Sequence, residues 1–401
     1  MKRLLLFLLL SALLTACVFP AVGEESAFRT LQKGDSGEDV MRLKEAMYTL
    51  GYFSTRKFSS EYNEITVERV KQLQKKNGLS PTGKADPELQ ALIYSGECVD
   101  ADGRRSGSTA GLGEDGLPLD LPKKTEAGFL PEGNEPYLYQ NDDQGLWIYL
   151  TPDLAIEIRR YEDKAAKNIW FECDVRASET SPLRTAVNWR TPGKTVSSIN
   201  PVKLADENQA VLAISDDHFG TRLSNKKTVG IEIRGGQVIS DKTYKADRSA
   251  FPNLETLAVF ADGGMKTYLS DAHTAQEYLD MGATDVFSFG PILVQDGQPG
   301  PHMADKDYYH YREPRCALGM IEPYHYFILV TNGREQDTAR GVYLNWLAEK
   351  MLEKGVTEAI NLDGGGTTAL VFMGKRLNRT GSSVRNLYSC ICFGTLPQNE
   401  P

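Results

Sequence analysis

Residues 97–140 constrain the chain most, because they divide it into parts that must fold on their own. Glycine stands at positions 103, 107, 111, 113, 116, 128 and 133 and proline at 118, 122, 131 and 136, and no apolar period runs through the stretch. Such a segment buries too little surface to offset its ordering entropy, so a mobile tether is expected. Arg104 and Arg105 within it read as solvated linker charges. A short N-terminal part precedes the tether. Residues 141–396 follow it and are long enough to bury one large core.

The first residues read as an export address. Lys2 and Arg3 precede the apolar run 4–14, and small residues follow. The run falls short of the ~20 apolar residues that a membrane span needs, and Glu24, Glu25 and Ser26 end the apolar character. Residues 1–23 are therefore expected to be a signal peptide, with no transmembrane span left in the mature chain. Two cleavage readings stand side by side. Leu14-Thr15-Ala16-Cys17 fits a bacterial lipobox that would leave Cys17 lipidated, and Ala21-Val22-Gly23 offers small residues at the −3 and −1 positions. Both place the protein outside the cytoplasm, in the cell wall, in the medium or lipid-anchored to the outer face of the membrane.

Residues 28–96 show helical periodicity three times. Val40, Leu43, Met47 and Leu50 share one face, with Ser36-x-x-Asp39 as a capping box in front and Gly51 behind. Val67, Val70 and Leu73 mark a second helix that stops at Asn77-Gly78. Asp86-Pro87-Glu88 supplies an N-cap, a proline at the first helical position and a first-turn acid for a third. The segments Leu31-x-x-Gly34-Asp35-x-Gly37, Leu50-Gly51-Tyr52, Asn77-Gly78-Leu79 and Thr82-Gly83-x-Ala85-Asp86 resemble the bacterial peptidoglycan-binding domain of the three-helix type. That resemblance implies peptidoglycan as a partner. The other reading of the module is a helical spacer without a ligand.

From residue 141 onward short apolar or alternating runs recur, among them 146–150, 169–175, 210–214, 229–233, 286–289, 326–330, 359–362 and 368–372. Gly235-Gly236 between two of them signals a hairpin. Helices are few: residues 274–281, and 343–354 with Leu344, Leu347, Ala348 and Leu352 on one face. Many strands and few helices predict an α+β fold, a large mixed β-sheet with packed helices, beside the small all-α N-terminal domain.

The densest chemical signal is Ile360-Asn361-Leu362-Asp363-Gly364-Gly365-Gly366-Thr367-Thr368. Three consecutive glycines carry a high entropic cost, so their backbone must reach φ > 0 or approach a ligand closely. Successive N–H groups in such a turn can form an anion-binding nest. No G-K-[ST] follows, which excludes a nucleotide P-loop. A tight connection whose Asp only caps its own turn is the alternative.

With three other segments in order, this nonapeptide resembles the phosphodiester glycosidase family. They are Phe289-Gly290-Pro291-x-Leu293-Val294-x-Asp296-Gly297, Pro314-Arg315-Cys316-Ala317-Leu318-Gly319, and Asn332-Gly333-Arg334 with Gly341. The resemblance implies a hydrolase acting on a phosphodiester-linked glycan. Arg315 would hold the phosphate, Asp363 would serve as nucleophile or base, and Asp217 as the second carboxylate of a glycosidase-like pair. Asn361, Gly364, Gly365, Gly366, Thr367, His218, Arg334 and Arg385 are candidate substrate-binding residues. One departure stands out: Ser215 occupies a position where the family often has Asn, and it puts the sugar identity in question. A non-catalytic carbohydrate- or phosphate-binding protein is the rival function.

Composition narrows the classes further. Lys and Arg number 45 against 54 Asp and Glu, a net charge of −9, which speaks against nucleic acid as a partner because phosphate backbones demand a clustered basic footprint. Six cysteines in 401 residues are too few and scattered for a disulfide scaffold. Cys390 and Cys392 are expected to share one strand face as small buried residues without a bond between them. His302, His310 and His325 lack metal-ligand spacing. The residues name no metal site and no cofactor, and leave a divalent cation open.

Overall fold

The computed structural model describes residues 28–53, 57–95, 98–101, 111–217, 230–242, 254–303 and 310–396. The leader, Cys17, Arg104 and Arg105, Tyr308 and Tyr309, and the candidate residue His218 lie outside these segments.

Three helices, α1 (Glu38–Thr49), α2 (Glu64–Lys76) and α3 (Pro87–Ser95), build the N-terminal domain. Val40, Leu43, Met47, Leu50, Val70, Leu73, Leu89 and Ile93 meet in its core, as their spacing predicts. Asn63 caps α2 by accepting the Thr66 N–H (3.1 Å), and Asp86 accepts the Leu89 N–H (2.8 Å) to cap α3. The expected capping box before α1 does not form. Gly37 is its N-cap, because the Asp39 carboxylate turns to Arg29 (2.6 Å) instead. Leu31 and Ala85 exchange two backbone hydrogen bonds of 2.8 Å each, tying the entry of the domain to the start of α3.

The rest is dominated by strands, here numbered in chain order. One nine-stranded sheet runs β1 (Tyr137–Asn141), β2 (Leu146–Leu150), β3 (Ala155–Asp163), β4 (Asn168–Arg176), β17 (His325–Thr331), β16 (Cys316–Glu322), β18 (Glu358–Asn361), β14 (Ile292–Gln295), β15 (Gln298–Pro299). A five-stranded sheet runs β10 (Gln237–Lys242), β9 (Gly230–Arg234), β13 (Ala283–Phe289), β11 (Glu255–Phe260), β12 (Met265–Tyr268). A second runs β20 (Lys375–Arg376), β19 (Leu370–Phe372), β8 (Ala210–Ser215), β21 (Ser389–Thr395), β5 (Arg184–Val187). A small hairpin, β6 (Trp189–Thr191) and β7 (Thr195–Val196), completes the set.

The α+β class holds, with one correction. Ladder after ladder among the described strands is antiparallel, where a mixed sheet is expected. Hairpins account for pairs such as β3–β4 and β16–β17, and pairs joined by long connections, β4–β17 among them, are antiparallel as well. Gly235 and Gly236, at φ 56° and 77°, make the expected hairpin turn between β9 and β10.

The faces of the three sheets share one core that includes Phe171, Ile214, Phe287, Ile328, Leu362 and Phe393. On the other side of the large sheet, helix α6 (Leu344–Glu353) lays Leu344, Leu347, Ala348 and Met351 on Leu293, Ala317 and Leu329. Helices α4 (Pro201–Glu207) and α5 (Ala275–Asp280) cover the smaller sheets.

The tether also differs from expectation. Within residues 111–140, Leu130 is buried, and Leu112, Leu117, Leu121 and Phe129 pack with it on Tyr139, Ile148 and Leu150. Isolated apolar side chains without a period cannot make a helix or strand face, yet each can dock singly on a neighbouring sheet.

Candidate functional site

The glycine-rich turn hangs from β18, an interior strand of the large sheet. Asn361 pairs with Ala317, and the ladder runs on past the strand end. Leu362 N–H donates to Cys316 O and Gly365 N–H to Pro314 O, both at 2.8 Å. Side chains have no room here. A Cβ on Gly364 would lie 2.6 Å from Pro314 O, and one on Gly365 2.7 Å from a guanidinium nitrogen of Arg334. A Cβ on Gly366 would lie 3.2 Å from Arg385 Nε, and the Arg315 Cδ stands 3.6 Å from the Gly364 position. Three arginines therefore close on three successive glycines. The Gly365 N–H is engaged by Pro314 O, so that amide does not join the expected anion nest.

Each arginine is held by its own surroundings. Arg315 is buried at the head of β16; its N–H donates to Thr331 Oγ1 and its guanidinium to Tyr311 O, both at 2.9 Å. Arg334 sits at φ 63° and donates to Glu313 Oε2 at 2.6 Å. Its neighbours must be glycines, since a Cβ on Gly333 would lie 2.6 Å from Pro314 N and one on Gly381 2.4 Å from Arg334 O. Arg385 is fixed through its backbone, which donates to Gly366 O at 2.8 Å. Around the turn, Thr367 Oγ1, Thr368 Oγ1 and Asn361 Oδ1 are buried with no hydrogen-bond partner among the described residues. Such atoms cost about 1–3 kcal/mol each, and a polar ligand or water relieves that cost.

Residues 208–393 match the family model of the phosphodiester glycosidases, and residues 36–93 match that of a putative peptidoglycan binding domain. The C-terminal part of the chain is thus similar to a phosphodiester glycosidase domain over residues 208–393. Among curated proteins, a stretch of 184 residues is 27% identical to the SPbeta prophage-derived uncharacterized protein YomE of Bacillus subtilis (strain 168). It covers 46% of this chain and 27% of the other, so the chain spans about a quarter of that relative's length. One similar solved structure is the zebrafish N-acetylglucosamine-1-phosphodiester alpha-N-acetylglucosaminidase catalytic domain auto-inhibited by its pro-peptide. Identity there is 15%, coverage 61% of this chain and 84% of the other, and the TM-score 0.48. A hypothetical protein from Synechocystis is similar at 13% identity, 65% and 64% coverage, and a TM-score of 0.45.

In the C-terminal domain the fold gathers Asn361, Asp363, Gly364, Gly365, Gly366, Thr367, Arg315, Arg334 and Arg385 at one end of β16 and β18. Asp217 lies close in the chain path but in another environment. Asp363 N–H donates to Asp216 O (3.1 Å), whereas the Asp217 carboxylate is fully buried against the Arg234 guanidinium and accepts the Ser288 N–H at 2.5 Å. Ser215 clamps the far end of the turn, its Oγ accepting the Ala369 N–H (3.1 Å) and its own N–H donating to Ala369 O (3.0 Å).

Two features escape a reading by motifs. Glu232 and Arg234 on β9 join Asp216 and Asp217 in a fully buried ion cluster, with Tyr388 on Glu232 and Ser389 on Asp216. Burial opposes the Arg234 charge, but Asp217, Asp216 and Glu232 outweigh it and raise its pKa. Ile231-Glu232-Ile233-Arg234 carried a usable signal, two ions inside an otherwise apolar strand. The second feature is Glu255, buried at the start of β11, whose Oε1 meets His302 Nδ1 at 2.6 Å. Cys390 and Cys392 are buried, unbonded thiols with sulfurs 3.5 Å apart.

Proposed function

We propose that the protein is an exported, wall-associated hydrolase that cleaves sugar-1-phosphodiester linkages in envelope or extracellular glycans. One observation carries this reading: Arg315, Arg334 and Arg385 converge on three successive glycines directly after Asp363. Guanidinium groups bind phosphate with paired, charge-assisted hydrogen bonds and stay charged at every physiological pH. Asp363 then faces the anomeric carbon, and the departing phosphate monoester leaves its charge among cations already in place, so full protonation is not required. Thr367, Thr368 and Asn361 supply buried oxygens for sugar or phosphate contacts. The N-terminal domain would keep the enzyme at peptidoglycan, close to its substrate. The absence of a described helix long and apolar enough to cross a membrane is compatible with that location.

The test is incubation of the full chain with a synthetic sugar-1-phosphodiester, reading free reducing sugar. Turnover is expected, falling ~10²-fold or more in Asp363→Asn and in Arg315→Ala. Binding without turnover would replace this reading by a non-catalytic carbohydrate or phosphate receptor. Retention on purified sacculi, compared with a chain lacking residues 28–96, tests the anchoring.

A further inference from the structure

Residues 364–399 hold Lys375, Arg376, Arg379 and Arg385 and no Asp or Glu, within a chain of net charge −9. Residues 376–385 of that stretch form a collar around the glycine turn, pinned at successive points. Asn378 is buried and bridges to the turn, its Nδ2 donating to Thr368 O (3.1 Å) and its Oδ1 accepting the Leu370 N–H (2.9 Å). Arg379 N–H donates to Asn332 Oδ1 (2.8 Å), and Arg379 O accepts the Gly333 N–H (3.3 Å), which sets Arg379 beside the residue that precedes Arg334. Gly381 presses on Arg334 itself, and the Arg385 backbone returns to Gly366.

The cations of this stretch differ in their partners. Lys375 pairs with Asp142. Arg376 is half-buried, yet its guanidinium donates only to neutral oxygens: Thr368 O (3.3 Å), Thr380 Oγ1 (3.1 Å) and Asn378 Oδ1 (3.3 Å). It loses part of its hydration without an ion pair to offset the loss. The hydroxyl of the same Thr368 is buried with no hydrogen-bond partner among the described residues. Arg379 is exposed, and its side chain has no hydrogen-bond or ion-pair partner among the described residues.

We propose that Arg376 and Arg379 form a second anion subsite beside the glycine turn, so that the substrate is a glycan carrying phosphate in successive repeats; the inference rests on the hydrolase reading above. A phosphodiester has one negative charge, and in that reading Arg315, Arg334 and Arg385 already meet it. Two more guanidinium groups exceed what that charge neutralises. They complement a further phosphate, which they hold by paired, charge-assisted hydrogen bonds. The collar thus reads the neighbouring repeat while the turn holds the bond to be cut.

The experiment compares two synthetic compounds with the full chain: a sugar-1-phosphodiester of glycerol, and the same ester with a phosphate on the far glycerol hydroxyl. The second is expected to show a kcat/KM about ten- to a hundredfold higher, as one further charge-assisted hydrogen bond would give, and the preference should shrink as salt rises. Arg376→Gln and Arg379→Gln should each lower that ratio, and together bring it close to one. Lys375, already paired with Asp142, is the control, and Lys375→Gln should keep the ratio. Thermal unfolding checks that each variant is folded; Arg379→Gln alters only an exposed side chain. A wild-type ratio of one, or a ratio retained in the folded double variant, overturns the inference and leaves the hydrolase reading intact. An equal gain from a carboxylate in place of the added phosphate overturns the choice of phosphate. If neither compound is cleaved, the hydrolase reading falls, and calorimetry with the same two compounds decides the subsite separately: tighter binding of the second, lost in the double variant, supports it, and equal affinities overturn it.

Discussion

Replacing Gly365 by alanine separates backbone strain from loss of a phosphate ligand. Gly365 has φ +64°, and an added Cβ would stand 2.7 Å from one Arg334 nitrogen and 3.2 Å from its Cζ. The left-handed backbone alone costs an alanine about 1–2 kcal/mol, which lowers Tm by roughly 2–8 °C in a domain of this size. The second effect is specific. The guanidinium must move off the turn, and a charge-assisted hydrogen bond to phosphate is worth about 1.5–3 kcal/mol, or roughly ten- to a hundredfold in affinity. Gly355 provides the control: its φ is +75°, and nothing lies within 4 Å of the Cβ position. Titration of a phosphate monoester by calorimetry, with melting curves, gives both quantities. The expected result is similar Tm losses in Gly365→Ala and Gly355→Ala, with weakened binding only in the first. Equal affinity in both variants would refute the placing of Arg334 in a phosphate site.

Ser215→Ala removes the acceptor of the buried Ala369 N–H and should cost about 1–3 kcal/mol, read as a lower urea midpoint at unchanged m-value. Arg234→Met leaves Asp216, Asp217 and Glu232 buried without their shared cation; a loss of about 3–5 kcal/mol is expected, and near-wild-type melting would count against a stabilising role for the cluster. Burial pushes the thiols of Cys316 and Cys98 up to about 12 and about 11, above their ordinary value. Because the folded pKa values are raised, their contribution to stability is complete below the ordinary thiol range and is lost as pH climbs through 11 to 12. Alkylation by iodoacetamide at mildly alkaline pH should therefore be slow in the native protein and fast in urea.

The helical domain was legible because its signals are local. Val40, Leu43 and Met47 repeat at helical spacing, and Asp86 followed by Pro87 caps α3 from within one turn. The first capping box failed for a non-local reason, Arg29 drawing the Asp39 carboxylate away. In the C-terminal domain the strands could be read from alternation, but their order could not. Neighbours such as β4 and β17 lie far apart in the chain and are joined only in three dimensions. The tether departs from its composition for a related reason. Leu112, Leu121 and Leu130 follow no period, yet each finds an apolar partner on β1 and β2.

The site divides along the same line. Asp363 and the glycines are contiguous, and the entropic cost of three glycines marks the turn as a candidate before any contact is known. Arg315, Arg334 and Arg385 could be nominated, but only the ladder between β16 and β18 and the tight packing of Gly333 and Gly381 bring them to one place. Glu255 and His302 had no motif to nominate them, since 47 residues separate them and their pairing depends on β11 and β14 meeting at Ile292. Asp217 shows the converse. A carboxylate in the right segment can be committed to an ion cluster that holds β8, β9 and β13 together. Residue type and order select candidates for chemistry, whereas the partner on each carboxylate decides which of them remains available to a substrate.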